Sequence, residues 1–424
     1  MKTLNMFKCC TLVSLAILGW LLSACQVATE TEPVIPTPMT ATETAVVSTS
    51  TPILPTPVEP SPDSPTETPE LSTSQVTPEA TPSGDGQEVG WVKTDSAVLR
   101  TTDAGASWED VTPDGIPEMV TGANGMGGPG LAAAFSEGDY ALAAYPQGDQ
   151  AVVFRTSNGG RSWDEAMVTL HEEVQGITSI ALIGEQLGWM LATRGLGAGN
   201  DWVDLYHSED GGESWSFISG SESEANPGGG ISSGGIKSGL SFNSSESGWL
   251  TGSAPIDLVY LFRTLDGGLT WQPYHLPLPE GVSFSGSSYP PIFFDEQNGI
   301  LPATIITMEN EPGLLFYETI DAGESWTPTI LLEGQITAWD WLDRQHAFTA
   351  GTDEQMQSKL FVTADGGKSW EAYPVEMVEV RALDFISEQE GWAICGWEFA
   401  PRDGCSGDIY HTQDGGRSWE RVYP

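Results

Sequence analysis

Thr264-Leu-Asp266-Gly-Gly268-Leu-Thr270-Trp271 decides the fold, because it is one of seven copies of a single pattern. The pattern Ser/Thr-x-Asp/Asn-x-Gly-x-Ser/Thr-Trp returns at Thr101–Trp108, Thr156–Trp163, Ser208–Trp215, Thr319–Trp326, Thr363–Trp370 and Thr412–Trp419. Its closing residues, Trp108, Trp163, Trp215, Trp271, Trp326, Trp370 and Trp419, follow one another at 55, 52, 56, 55, 44 and 49 residues. That is the length of one four-stranded propeller blade. The central glycine supplies the positive φ of a tight turn. The side chains of Asp103, Asn158, Asp210, Asp266, Asp321, Asp365 and Asp414 can accept N–H groups inside that turn, as the Ser/Thr hydroxyls can from the other side. The Trp buries a large apolar face against the blade. A catalytic acid or metal ligand is needed once or twice, whereas a fold element is needed in every blade. The repetition therefore assigns this Asp box to construction.

Short runs rich in β-branched and aromatic residues lie between the boxes. Examples are Ile177–Ile183, Gly188-Trp189-Met-Leu-Ala and Val203–His207, or Val380–Ile386, Gly391-Trp392-Ala-Ile and Asp408–His411. Each is bounded by turn residues, and none keeps a 3.6-residue period. The expected fold is all-β, a seven-bladed β-propeller over residues 89–424. Each blade runs A to D from the axis outward, with the box joining C to D. Blade one offers Val89–Val92, Ala97–Arg100 and a strand after Trp108, with no clear strand A. It has either three strands or a poor fourth from residues 80–88, and the pattern gives no account of ring closure. Trp339-Asp340-Trp341 falls on the expected innermost strand of blade six, where alternating Trp packs between blades.

The N-terminus reads differently. Lys2 and Lys8 precede an apolar run from Thr11 to Leu22, too short for a stable membrane span. The sequence Leu22-Ser23-Ala24-Cys25 resembles a bacterial lipoprotein box, with residues 1–24 a signal peptide and Cys25 lipidated; an ordinary signal peptide with an incidental Cys is the alternative. Residues 25–88, dense in Thr and Pro and lacking aromatics, predict a disordered stalk that spaces a domain from a membrane. The protein is thus expected to be exported and lipid-anchored to the outer face of a bacterial membrane. Of five Cys, Cys9 and Cys10 would leave with the signal peptide. Cys395 and Cys405 remain as an expected local disulfide. The five His are scattered, so no metal site and no cofactor is expected. A formal net charge of −43 disfavours nucleic acid and anionic lipid headgroups as partners.

Strand alternation places the boxes and A–B turns on one face, and the B–C loops and D–A links on the other. The second set is irregular: Thr112–Gly130, Arg194–Trp202, Ser219–Gly235, Pro279–Pro290 and Gly396–Gly407. Function commonly sits on such loops. The candidate ligand contacts are Trp202 with Asp201 and Asp204, and Trp397 with Glu398, Arg402 and Asp403; solvated loop residues around a packed Trp are the alternative.

Leu383-Asp-Phe385, Glu390-Gly-Trp392-Ala-Ile and His411-Thr-Gln-Asp-Gly-Gly-Arg-Ser-Trp419 together resemble one repeat of the photosystem II stability/assembly-factor-like propellers. Gly188-Trp189 and Gly248-Trp249 extend the likeness, which covers residues 89–424. It implies a seven-bladed propeller that binds partner proteins and has no enzyme activity. The photosynthetic members use a basic patch; this chain departs from them, having 16 Lys plus Arg against 59 Asp plus Glu. Asp boxes also mark sialidases, which hold a substrate carboxylate with an Arg triad. The Arg-Ile-Pro segment of that family is absent, and Arg100, Arg155 and Arg263 belong by register to strand C. β-Glucan glycosidases place two carboxylates across a cleft, often between two propellers. The expectation is a non-enzymatic surface propeller binding a protein partner, with a glycan-binding or divergent sialidase- or glycosidase-like propeller as the alternative.

Overall fold

The computed structural model describes residues 89–423 apart from 94–96, 104, 106, 117–130, 137, 222–229, 255–257, 284–285, 308–310, 378 and 397–405. The expected signal peptide, Cys25 and the stalk at 25–88 lie outside the described residues, as do Trp397, Arg402 and Cys405. The described residues all belong to one compact unit. Its described residues fold into seven antiparallel sheets and contain no helix, giving a seven-bladed β-propeller.

Blade three shows why the sequence folds this way. Its strands, Gly176–Ile183, Leu187–Gly197, Asn200–Ser208 and Ser216–Gly220, pair in sequence order as a meander. Both faces of a blade are covered by neighbouring blades, so its middle strands read as near-continuous apolar runs. Gly188-Trp189-Met190-Leu191-Ala192-Thr193 is buried throughout. Polarity returns at the rim, where Ser216 is exposed. Blades two, four, six and seven repeat the four-stranded order. Blade five splits both its innermost position, into Val282–Ser283 and Ile292–Phe293, and its outermost, into Thr327–Pro328 and Leu332–Glu333. Blade one has three strands among the described residues, Gly90–Lys93, Val98–Thr101 and Glu109–Asp110.

The box glycine joins each blade to the one before it. Gly160 of blade two lies against Val111 of blade one, Gly212 against Leu142, Gly268 against Leu205, Gly323 against Trp249 and Gly416 against Leu360. The same contact closes the ring, because Gly105 of blade one lies against Trp392 of blade seven. Val92, Leu99, Trp392 and Ile409 form one buried cluster there. Closure is thus made by side-chain packing between two separate sheets.

Hydrogen bonds add stitches around the ring. The indole N–H of Trp91 donates to Gly138 O at 2.9 Å, and that of Trp189 to Gly267 O at 2.9 Å, each in the following blade. Near the axis, the innermost strands of blades three, four, six and seven each carry a register shift, at Ile177/Ser179, Lys237/Gly239, Ile336/Ala338 and Val380/Ala382. From two of these bulges a hydroxyl crosses to the next blade: Ser238 donates to Ser288 O, and Thr337 to Val380 O, both at 2.7 Å.

Candidate functional site

The two faces use their polar residues differently. On the box face, the first Ser/Thr of each box accepts the central Gly N–H at 2.8–3.0 Å. One oxygen of the Asp or Asn accepts the N–H of the later Ser/Thr at 2.8–3.0 Å. In the six Asp copies the other oxygen accepts that residue's hydroxyl at 2.6–2.7 Å. These hydroxyl bonds are the leading cause that holds Asp103, Asp321, Asp365 and Asp414 below the ordinary carboxylate range, Asp365 at about 2. In Asp210 and Asp266 burial pushes upward, and the same bonds outweigh it. Trp215, Trp271 and Trp419 donate their indole N–H to the glycine carbonyl of their own box, whereas Trp163 reaches Val111 O of blade one at 2.7 Å.

The three strand-C arginines sit on this face as bridges between blades. Arg100 pairs with Asp139, Arg155 with Glu213 at 3.4 Å and Arg263 with Glu324 at 2.7 Å. Each stands in a different blade with its acid in the next. They do not converge on one anion.

The opposite face departs from the sequence reading. Arg194–Trp202 is expected to be a loop, but it is the tip of a long hairpin: Leu187–Gly197 and Asn200–Ser208 pair through Ala198 (φ 50°) and Gly199 (φ 81°). Trp202 is half-buried on its strand, beside Gly197. Asp204 is fully buried and contacts no ligand face. Its carboxylate lies 3.4 Å from Arg194 Nε, while Arg194 donates to Glu172 at 2.7 Å and Ser221 O at 2.8 Å. Burial raises the Asp204 pKa to about 6, against the opposing pull of Arg194 and His171. Asp201 is also buried; it accepts the Thr193 hydroxyl at 2.5 Å and Lys237 N at 3.1 Å. Lys237 Nζ donates to the carbonyls of Asp201, Gly234 and Gly235. Desolvation lowers its pKa to about 8, opposed by Asp201. Asp201 and Lys237 thus fasten blade three to blade four. Cys395 is buried and disulfide-bonded.

The same face holds a cavity of about 360 Å³ beside this lock, lined by Ser232, Leu258, Tyr260, Phe262, Tyr274 and His275 among others. No carboxylate lines it among the described residues. Tyr260 donates to Gly234 O at 2.6 Å and Tyr274 to Glu324 O at 2.7 Å, so both rings are held in place.

A further feature escapes the sequence reading. Asp340 of blade six and Asp384 of blade seven occupy the same register on adjacent innermost strands, each eight residues before Phe348 or Trp392. Asp340 accepts Phe385 N at 2.7 Å; burial, then Asp384, pushes its pKa up to about 7. Asp384 is exposed on its strand, yet desolvation by the surrounding protein raises it too. The signal was available as an Asp between large apolar residues in both Trp339–Trp341 and Leu383–Phe385. The described residues contain no group of three or more His, Cys, Asp or Glu arranged to hold a metal ion.

These features define a seven-bladed β-propeller in which the carboxylates of the repeated turn are bonded within their own turns. No protein-family model matches the chain. The photosystem II assembly lipoprotein Ycf48 of Synechococcus sp. (strain CC9902) is 32% identical over 139 residues, 31% of this chain and 35% of that protein. The chain therefore spans about a third of that relative's length. Among solved structures, a GH74 xyloglucanase from Xanthomonas campestris is 13% identical, with a TM-score of 0.51 over 80% of this chain and 53% of that one. A GH74 enzyme from Niastella koreensis is 12% identical, with a TM-score of 0.51 over 79% and 52%. At such identity the likeness establishes the propeller and leaves chemistry open.

Proposed function

We propose that this protein is an exported, lipid-anchored propeller that binds a protein partner on the face bearing its B–C loops and D–A links, without catalysing a reaction. The carrying observation is the cavity at Leu258–Phe262 and Tyr274–His275. It is apolar and aromatic, its rings are held by hydrogen bonds, and no carboxylate lines it among the described residues. Rigid aromatic anchors in a concave site favour recognition. The neighbouring Asp201 and Asp204 are buried, Asp201 bonded to Lys237 N and Asp204 facing Arg194 at 3.4 Å. Similarity to a protein named for photosystem II assembly supports an assembly role, and the word lipoprotein in that name supports lipidation at Cys25. The −43 charge points to a different partner from one met by a basic patch. The aromatic lining favours, as a second reading, a glycan stacked on Tyr274.

The test is affinity capture with the full chain as bait, run beside a glycan array. A partner retained by the native chain and lost with Tyr274→Ala or Leu258→Asp is expected. A specific glycan hit with no protein partner would replace the first reading by the second. Metabolic lipid labelling that survives Cys25→Ser would remove the anchor.

A further inference from the structure

One position beside the box is shared by all seven blades. The residue just before each box is Arg100, Arg155, His207, Arg263, Glu318, Val362 or His411. Each pairs with the first residue of strand D, as Arg155 does with Asp164 and Val362 with Glu371. Six of the seven are polar and engaged. Arg100, Arg155, Arg263 and Glu318 pair with a charge of the next blade, Glu318 with Arg344 at 2.7 Å. His411 meets Glu390 of its own blade at 3.0 Å, and His207 lies against Trp189. Val362 alone is aliphatic and can make no such bridge.

Two charges lose their usual partner with it. Arg417 of the blade-seven box stands at the place of Glu213 in blade three and Glu324 in blade five, the acids that Arg155 and Arg263 reach. Its guanidinium donates to Asp414 O at 2.7 Å and to the Tyr373 hydroxyl at 3.2 Å, and lies over the Tyr373 ring at 5.0 Å. Glu371, beside Val362, accepts the Tyr373 hydroxyl at 2.6 Å. Neither Arg417 nor Glu371 makes an ion pair among the described residues. One hydroxyl therefore stands between a cation and an anion that are not paired with each other. A cavity of about 290 Å³ opens at this point on the box face, between blades six and seven. Val362 and Phe348 line it with apolar surface, and His346 and Glu388 stand beside it on the A–B turns. That is room for one small molecule. An anion alone would sit beside Glu371 and Glu388, and a cation alone would leave Arg417 unanswered. A molecule that carries both charges complements both.

We propose that this cavity binds a free α-amino acid with an apolar side chain, its carboxylate on Arg417, its ammonium on Glu371 and its side chain against Val362 and Phe348. The guanidinium keeps further N–H groups for a carboxylate after its two protein contacts. Tyr373 holds both charged groups in place through its one hydroxyl. Asp365 and Ser369 also line the cavity but are bonded to each other within their box, at 2.6 Å. The site lies on the box face and stands independently of the partner-binding reading.

The test titrates the full chain with the common free amino acids by calorimetry, then with the best binder blocked at one end as its N-acetyl or its amide form. An apolar amino acid such as leucine is expected to bind. Either block should weaken it about fivefold or more, the scale of a charge-assisted hydrogen bond at a partly open site. Arg417→Gln should weaken the free amino acid by the same factor and leave the amide unchanged, because both changes remove one contact. Val362→Glu should set a carboxylate against Arg417, as Glu213 stands against Arg155, and abolish binding. The blocked ligands carry the test even where a variant fails to fold. Binding of no amino acid at millimolar concentration overturns the proposal. So does an amide or N-acetyl form that binds as tightly as the free amino acid, which would reduce the site to one for a bare cation or anion. None of these outcomes bears on partner capture by the opposite face.

Discussion

The carboxylates of the box face and those of the inner strands are the same side chain under opposite constraints. On the box face six Asp residues each collect hydrogen bonds from a hydroxyl and from backbone N–H groups, and their pKa values fall. On the inner strands, Asp204, Asp340 and Asp384 are desolvated, find few donors, and titrate higher. Donors aimed at an anion stabilise it, whereas burial without them penalises it. The rim carboxylates hold turns together; of the inner ones, Asp204 has its counter-charge in Arg194, 3.4 Å away.

The largest break in that contrast is expected at blade three. Arg194→Met keeps the aliphatic stem and removes the charge facing Asp204. An ion pair broken this way costs about 3–5 kcal/mol. The loss should be greatest near pH 8 and shrink as pH falls through about 6, where the Asp204 carboxyl takes up a proton. Urea unfolding at both pH values measures it; an equal loss at both would mean that Asp204 is not the strained partner.

Next comes the turn itself. Gly323 has φ 78° and lies against Trp249, so Gly323→Ala meets both backbone strain and a fixed ring. The two effects together cost about 2–4 kcal/mol. Gly115, with φ 97° and open space around it, supplies the control, at about 1 kcal/mol for Gly115→Ala. Thermal unfolding that ranks the two alike would remove the inter-blade role of the box glycine.

How much of this was legible depends on the range of the physics. Box turns and strand runs could be read because their hydrogen bonds close within four residues, as from Gly268 N to Thr264. The hairpin tip at Arg194–Trp202 was misread because Gly195, Gly197 and Gly199 look like loop. In the fold Gly195 sits at a bulge, and Ala198-Gly199 forms the two-residue, positive-φ turn that suits a twisted hairpin. Ring closure was beyond reach. The sequence displays Gly105 as a turn residue, but its partner Trp392 stands almost three hundred residues away and reads only as a strand residue. Asp340 and Asp384 were visible singly; only blade packing puts them side by side.

The innermost strand of blade six gives a smaller, pH-dependent effect. Asp340 titrates near 7 in the fold and near 3.8 when unfolded. Between those values unfolding releases a proton, so stability should fall as pH rises from about 4 to 7. Asp340→Asn can still accept Phe385 N and cannot ionise. It should flatten that fall by on the order of 2 kcal/mol, with little change below pH 4. A slope unchanged by the substitution would place the titration elsewhere.

The smallest effect separates charge from geometry at the rim. Asn158 already builds a box without a negative charge: its oxygen accepts Ser162 N at 3.0 Å and its amide donates to Ser162 Oγ at 2.7 Å. Asp266→Asn should therefore cost less than about 0.5 kcal/mol near neutral pH, against about 1 kcal/mol or more for Asp266→Ala, which removes the acceptors. Because the pKa of Asp266 is lowered in the fold, its ionised form favours folding above its unfolded value and loses that advantage as pH falls through the folded one. Asparagine should erase only this acid-side dependence. Unfolding curves at pH 7 and pH 3 for the three proteins distinguish the cases. If asparagine proved as damaging as alanine at pH 7, the box would be an electrostatic device, and the neutral copy in blade two would need another explanation.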